Sequence, residues 1–257
     1  SALGPSPKAR KQYLEVSKNF ARYPDSDGTF LRKTLADKFK IDKNRIILGS
    51  GSDQIFELIC KSFLKKGDEV IVPKFSFIIY RIYSRMNGAK IIYSKEDNFT
   101  ASVKDILKKV TRKTKIVFLA NPNNPTGVVH TPEEVKELAK VLENHNVIVF
   151  SDEIYANLAY ISTISISTYI PHLTIRGSSV SKDLGCGGYR LGWATFPDEL
   201  SWLFGKCHSL SSSIYSCTTA PIQYAVASLL NDSSAFETIC KETRSTFKKI
   251  NFGELKF

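Results

Sequence analysis

Short β-branched and aliphatic runs alternate along this chain with amphipathic segments of helical length. Strands joined by helices pair in parallel, and a parallel sheet needs helices on both faces. The alternation therefore predicts an α/β fold of three layers, α/β/α, around a mostly parallel sheet. Candidate strands lie at 45–48, 69–72, 90–93, 115–119, 147–150, 172–176 and 190–196, and candidate helices at 53–64, 78–86, 103–110, 132–143 and 199–210. The helix at 132–143 has the clearest start. Thr131 caps it, Pro132 takes the first position where a missing N–H costs nothing, and Glu134 completes a capping box. Beyond Ala220 a helical pattern runs to Leu230, pauses at the polar turn 231–234 and resumes to 249. The first 27 residues, punctuated by Pro5, Pro7 and Pro24, read as an arm with one helix outside the sheet.

Composition excludes several classes. With 257 residues, 42% hydrophobic and 24% charged, the chain can bury a sizeable core and is neither disordered nor fibrous. Lys and Arg number 36 against 25 Asp and Glu, a net charge of +11. The lysines come as scattered pairs, such as Lys65/Lys66, Lys108/Lys109 and Lys248/Lys249, so no nucleic-acid partner is expected. No apolar run approaches the roughly 20 residues that cross a bilayer, and the N-terminus lacks the order of a signal peptide, so a soluble, cytoplasmic protein without a membrane partner is expected. Five widely spaced cysteines without a CxxC pair read as reduced and structural, with no metal site.

Four motifs follow four candidate strands. Gly49-Ser50-Gly51-Ser52-Asp53 stands between a strand and a helix, where successive N–H groups cradle a phosphate or simply make a tight turn. Asn121-Pro122-Asn123-Asn124-Pro125-Thr126-Gly127 is either a proline-stiffened turn or a device that projects the Asn124 amide from a strand end. In Ser151-Asp152-Glu153-Ile154-Tyr155 an acid ends an apolar strand, where ionisation is costly without a cationic partner; a cap is the other reading. In Ser179-Val180-Ser181-Lys182, followed by Gly185, Gly187, Gly188, Arg190 and Gly192, a lysine among small residues is suited to form an imine with an aldehyde, or is a surface lysine. Arg190 is suited to a phosphate. Ligands of open α/β sheets collect beyond the carboxyl ends of the strands, where all four motifs lie. Together they supply the parts that hold pyridoxal 5'-phosphate.

The ordered set GSGSD, NPNNPTG, SDEIY and SVSK with GGYRLGW resembles the aminotransferase class I/II family, the fold type I pyridoxal phosphate enzymes. Residues 3–127, with Leu3-Gly4-Pro5-Ser6-Pro7, Arg22-Tyr23-Pro24-Asp25 and Pro73-Lys74-Phe75-Ser76-Phe77, are most similar to histidinol-phosphate aminotransferases, and residues 152–230 to generic amino-acid aminotransferases. The resemblance implies a transaminase acting on amino acid (or histidinol phosphate) and 2-oxo acid substrates. Lys182 would be the Schiff-base lysine and the proton-moving base, and Asp152 would pair with the pyridinium nitrogen. Asn124 and Tyr155 would bond the phenolic oxygen, and Phe75 would stack on the ring. The phosphate would meet backbone N–H groups of Ser52, Asp53 and Gln54, with Ser179, Ser181 and Arg190. Tyr23 matches a tyrosine that reaches the neighbouring subunit's phosphate, which implies a homodimer.

On the family pattern, residues 1–27 are the arm and a small-domain segment, 28–230 the large cofactor-binding domain, and 231–257 a shortened linking helix toward a much reduced C-terminal small domain. The family's arginine for the substrate carboxylate belongs to that small domain, and Arg244 is the last arginine here, which leads to the expectation of a truncated chain with weak turnover. A pyridoxal phosphate-binding remnant and a related amino-acid decarboxylase are the alternatives. Asp183 places an acid beside Lys182 where the family has a small or uncharged residue, with an expected influence on the lysine.

Overall fold

The computed structural model describes residues 4–19, 21, 23–97 and 99–253; Leu3 and Arg22 of the motifs, and the end of the 231–257 segment, lie outside the described residues. The strands are β1 Ile46–Gly49, β2 Glu69–Pro73, β3 Lys90–Ser94, β4 Glu96–Asp97, β5 Thr100–Ala101, β6 Thr114–Ala120, β7 Ile148–Asp152, β8 Thr174–Ser179 and β9 Gly192–Thr195. The α-helices are α1 Pro7–Val16, α2 Thr29–Phe39, α3 Ser52–Phe63, α4 Ile78–Met86, α5 Val103–Lys109, α6 Pro132–Asn144, α7 Ser201–Ile214, α8 Ala220–Leu230 and α9 Ser233–Gly253. Seven strands form one sheet in the order β1-β9-β8-β7-β6-β2-β3, and β4 pairs with β5 in a separate hairpin. The pairs from β3 to β8 are parallel, whereas β9 runs antiparallel to both β8 and β1. This is the mostly parallel, three-layer α/β/α sheet that the alternation predicts.

Side chains alternate between two apolar layers. Ile116 and Phe118 of β6 join Val70, Phe150 and Ile175 against Phe56 and Ile59 of α3 and Leu203 of α7. Val117 and Leu119 face the other way, onto Ile106 of α5 and Val135, Leu138 and Leu142 of α6. Each such fully buried aliphatic side chain contributes about 1.5–3 kcal/mol. Both faces being dry, β6 and β7 read as continuous apolar runs. A third cluster lies past the β1–β9 edge, where Leu48 and Trp193 meet Leu31 and Leu35 of α2 and Val226 and Leu229 of α8, with Ala9 of α1. α1 packs on α8, outside the sheet.

The helix α6 starts as its sequence predicts: Thr131 Oγ1 accepts from the Glu134 N–H, and Glu134 returns a carboxylate oxygen to the Thr131 N–H. Two elements were not expected. Helix α2 begins at Gly28, which is left-handed and provides no side-chain cap; the β4–β5 hairpin has strands only two residues long. The expected strand at 172–176 begins later, because a 3₁₀ turn at Pro171–Leu173 precedes β8. Among the described residues no helix is long and apolar enough to cross a membrane.

The antiparallel strand β9 brings two motifs together. Gly192 pairs with Ser179 of β8 on one side and Gly49 of β1 on the other, so the first and fourth motifs leave the sheet side by side. A Cβ on Gly192 would lie 2.5 Å from the Ser52 backbone nitrogen and 2.6 Å from the Gly51 carbonyl carbon. Only glycine lets β9 approach that turn. Gly192→Ala is expected to cost about 1–3 kcal/mol through overpacking against backbone, read as a lower urea midpoint with an unchanged slope; an unchanged midpoint would show that the turn yields freely.

Candidate active site

The carboxyl ends of β6, β7 and β8 stand in register, with Ala120 opposite Asp152 and Asp152 opposite Gly177. Beyond them the chain turns out of the sheet at each motif. Asp152 is 2% exposed. Its Oδ2 accepts from the Tyr80 hydroxyl at 2.5 Å and its Oδ1 from the Ile154 N–H at 3.3 Å. Burial pushes this carboxyl up to about 6, and those two donors pull in the opposite direction. Its neighbour Glu153 is spent differently: Arg176 grips both of its oxygens, at 3.1 and 2.7 Å, and Ser151 and Ser165 also donate to it. Of the two adjacent acids, Asp152 is the one without a cationic partner among the described residues.

The second motif sorts its three asparagines in the same way. Asn121 ties the loop down through Ile164 and His130. Asn123 does so through Thr126 and the Phe75 carbonyl. Among the described residues the Asn124 side chain has no hydrogen-bond partner, and it is not among the residues that line the Lys182 cavity.

Lys182 is exposed and lines a cavity of about 660 Å³ with Ser181, Tyr155, Pro122, Pro125 and Phe247. Its Nζ lies 5.6 Å from the centre of the Tyr155 ring, within the range of a cation–π contact. The adjacent Asp183 points the other way. It is 3% exposed, accepts from Asn157 Nδ2 at 2.7 Å and from the Leu184 N–H at 2.9 Å, and is pushed up to about 6 by burial. Arg244 of α9 donates to the carbonyl of that same Asn157 at 2.8 Å.

Where the first and fourth motifs meet, α3 begins at Gly51 with a positive φ of 77° and no side-chain cap. The N–H groups of Ser52, Asp53 and Gln54 form its first turn, and such groups have no acceptor within the helix. The Gln54 side chain is used internally, accepting from the Ser50 N–H. Arg190 lies across this end: a Cβ on Gly51 would meet its Nη2 at 2.6 Å, and its Nη2 stands 3.7 Å from Asp53 Oδ2. At that separation the guanidinium is not committed to the carboxylate. Ser179 Oγ accepts from the Ser181 N–H, one residue before Lys182. Amides at a helix start, an arginine, an amine beside an aromatic ring, an unpartnered amide and a buried acid form a donor set that fits a phosphorylated pyridine aldehyde.

Two residues lie apart from this grouping. Phe75 is half exposed and lines an adjoining cavity with Lys74, Arg81 and Pro125. Tyr23 is fully exposed beside Pro24, Phe30 and Tyr224, in a cavity that does not include Lys182. One residue escaped the sequence reading: Tyr80, fully buried in α4 and bonded to Asp152. Its signal was a phenol on the apolar face of a helix, which must find a partner when buried.

The pH dependence of stability follows from Asp183. Between its ordinary value of 3.8 and about 6 the unfolded chain releases this proton while the folded chain keeps it, so raising the pH through that window destabilises the fold. The ionised form costs on the order of 3 kcal/mol above pH 6. Relative to Asp183→Asn, the wild-type chain is expected to lose about that much unfolding free energy from pH 4 to pH 7, measured by urea titration. Parallel profiles would refute it.

Comparison with known proteins gives the chain its family. The aminotransferase class I and II family model matches residues 2–250. The histidinol-phosphate aminotransferase of Pelagibacter ubique is 43% identical over 204 residues, covering 78% of this chain and 56% of that relative. The enzyme of the same name from Paramagnetospirillum magneticum is 33% identical over 248 residues, covering 93% and 65%. The chain thus spans 56–65% of the length of these relatives. Among solved structures, an aromatic aminotransferase from Pyrococcus horikoshii superimposes with a TM-score of 0.88 at 27% identity, over 95% of this chain and 68% of that one. The Thermus thermophilus aspartate aminotransferase with maleate reaches 0.90 at 23% identity, over 96% and 67%, a likeness of fold. With its motifs, its sheet order and a match over nearly its whole length, this chain belongs to the aminotransferase class I and II family.

Proposed function

We propose that this chain works as a pyridoxal phosphate-dependent aminotransferase, moving an amino group between an amino acid, or histidinol phosphate, and a 2-oxo acid. Family members use pyridoxal phosphate. The observation that carries the reading is the Lys182 amine facing a cavity beside Tyr155, next to strand ends that hold a buried acid without a cationic partner. When bound, the cofactor supplies an aldehyde carbon for an amine and a ring that takes up an electron pair from the substrate.

The rest is the work of this chain's residues. Lys182 would hold the cofactor through its Nζ at the aldehyde carbon, and the same amine would move the proton at the substrate α-carbon. Asp152 holds a proton at the ring nitrogen, and the cationic ring is the partner its burial calls for. Asn124 and Tyr155 bond the phenolic oxygen, a role that the free Asn124 amide supports. The N–H groups of Ser52, Asp53 and Gln54, with Ser179, Ser181 and Arg190, hold the phosphate. Phe75 stacks on the ring. Tyr23, exposed in its own chain, serves the partner's phosphate site in a homodimer. Residues 28–230 form the cofactor-binding domain, with 1–27 as an arm and the segment from 231 leading onward. The described cysteines are all unpaired thiols, which suits a cytoplasmic setting.

Borohydride reduction after incubation with pyridoxal phosphate is expected to fix the cofactor on Lys182, and Lys182→Ala to abolish the label. A label on another lysine, or none, overturns the reading. Arg190→Ala should raise the cofactor Kd on the order of 10- to 100-fold by losing charge-assisted bonds. Asp152→Asn should instead lower amino transfer from glutamate or histidinol phosphate on the order of a hundredfold or more, with a Kd near that of wild type. Equal effects of both changes on Kd would refute this division of roles.

A further inference from the structure

The Asp152 carboxylate has a second contact that the functional reading does not use. Tyr80 stands 72 residues away in sequence, and its hydroxyl donates to Asp152 Oδ2 at 2.5 Å. The phenol is fully buried in a cage of rings. It stacks on Phe118 with centroids 4.8 Å apart and planes 4° from parallel, and meets Phe56 edge-on at 5.0 Å and Phe77 at 5.7 Å. Farther along α4, Ser84 Oγ donates to the Tyr80 carbonyl at 2.7 Å. A ring held on several sides delivers its hydroxyl to one point, and a buried phenol without an acceptor would leave a polar group unpaired.

We propose that Tyr80 is a positioning residue for the proton at the cofactor ring nitrogen: its fixed hydroxyl orients the Asp152 carboxylate and favours its ionised form. The proposal rests on the aminotransferase reading given above. Its logic is one of competing basicities. A proton between a ring nitrogen and a buried carboxylate goes to the more basic of the two, and burial makes a carboxylate more basic. Donation by Tyr80 counters that rise, as does the weaker donation by the Ile154 N–H. The other groups facing the carboxylate work against it: Glu153 from the end of its own strand and Asp53 from α3 both add negative charge, although Arg176 neutralises Glu153. Tyr80 is thus the strong donor that keeps the carboxylate anionic, and the proton with it on the ring. Tyr80 touches no cofactor atom in this scheme and acts wholly through Asp152.

The test replaces the hydroxyl and keeps the ring. In Tyr80→Phe the Asp152 carboxyl, followed by infrared difference titration against Asp152→Asn in cofactor-free protein, should titrate about one unit higher than in wild type, equivalent to a tenfold change in its proton affinity. With ¹⁵N-labelled pyridoxal phosphate bound, the ring-nitrogen resonance should move toward its unprotonated position. Amino transfer should fall, whereas Tyr80→Phe in an Asp152→Asn background should have no further effect on it. Difluorotyrosine at position 80, a stronger donor of the same shape, should move the carboxyl titration downward, and serves if the phenylalanine variant folds poorly. A carboxyl that titrates identically in wild type and both variants, or additive losses in the double variant, overturns the proposal. Failure of wild type to bind pyridoxal phosphate would sink the functional reading instead, and the infrared titration would still decide whether Tyr80 governs Asp152.

Discussion

Strands β6 and β7 are dry on both faces, and that condition decides where chemistry is placed in this molecule. A polar side chain along either strand would enter one apolar layer or the other, at a cost of several kcal/mol without a partner. The polar groups come at the carboxyl ends: the second motif starts just past β6, at Asn121, and the third takes up the last two residues of β7, Ser151 and Asp152. The antiparallel β9 then carries the arrangement sideways. Wedged between β8 and β1, it sets Ser179 and Gly49 on either side of Gly192, so that the start of α3 and the Lys182 segment become neighbours. In a purely parallel sheet the residue after β8 would be carried away by a helix before it returned to the sheet.

Within this frame the site is a set of groups that the fold leaves unsatisfied in a selective way. Glu153 is neutralised and Asp152 is not; Asn121 and Asn123 are consumed and Asn124 is not. Gln54 spends its side chain on a turn and leaves its N–H at the helix start. Each pair is made of adjacent or near-adjacent residues of one chemical type, separated by the pleat of a strand or the twist of a loop. Among the described residues Asp152 lacks a cationic partner and Asn124 a hydrogen-bond partner.

The sequence made the layers and the strand-end motifs legible because they are local. The apolar runs at 115–119 and 147–150 need only period and length, and the α6 capping box needs only four residues. Helix α2 was hidden because a left-handed Gly28 stands at its start, and the side chain that receives the Thr29 N–H is Asp25, four residues earlier. Tyr80 was hidden for a stronger reason: nothing near α4 shows that its partner lies at the end of β7, and only the superposition of α4 on the sheet makes the pair. The same holds for Asp183. Beside Lys182 in sequence it looks like a neighbouring charge, yet the turn after Lys182 carries it inward while the amine stays at the cavity.

Asp183 also shows how the two loops of the site are kept in register. Its carboxylate receives Asn157 Nδ2, and the Asn157 carbonyl receives the Arg244 guanidinium, so that the Lys182 segment, the turn following Tyr155 and helix α9 meet at one residue. A buried acid is a poor source of net stability, since its desolvation offsets most of what its bonds return. An apolar side chain would pack there at lower cost, but it would not specify which atoms of the neighbouring loop it meets. Hydrogen bonds have direction, and here they fix the position of Asn157, two residues from Tyr155, relative to Asp183, one residue from Lys182. The spacing of the amine and the phenol thus depends on a polar chain that starts at the buried Asp183 and touches neither of them, and α9, whose Phe247 lines the same cavity, is the element that holds its far end.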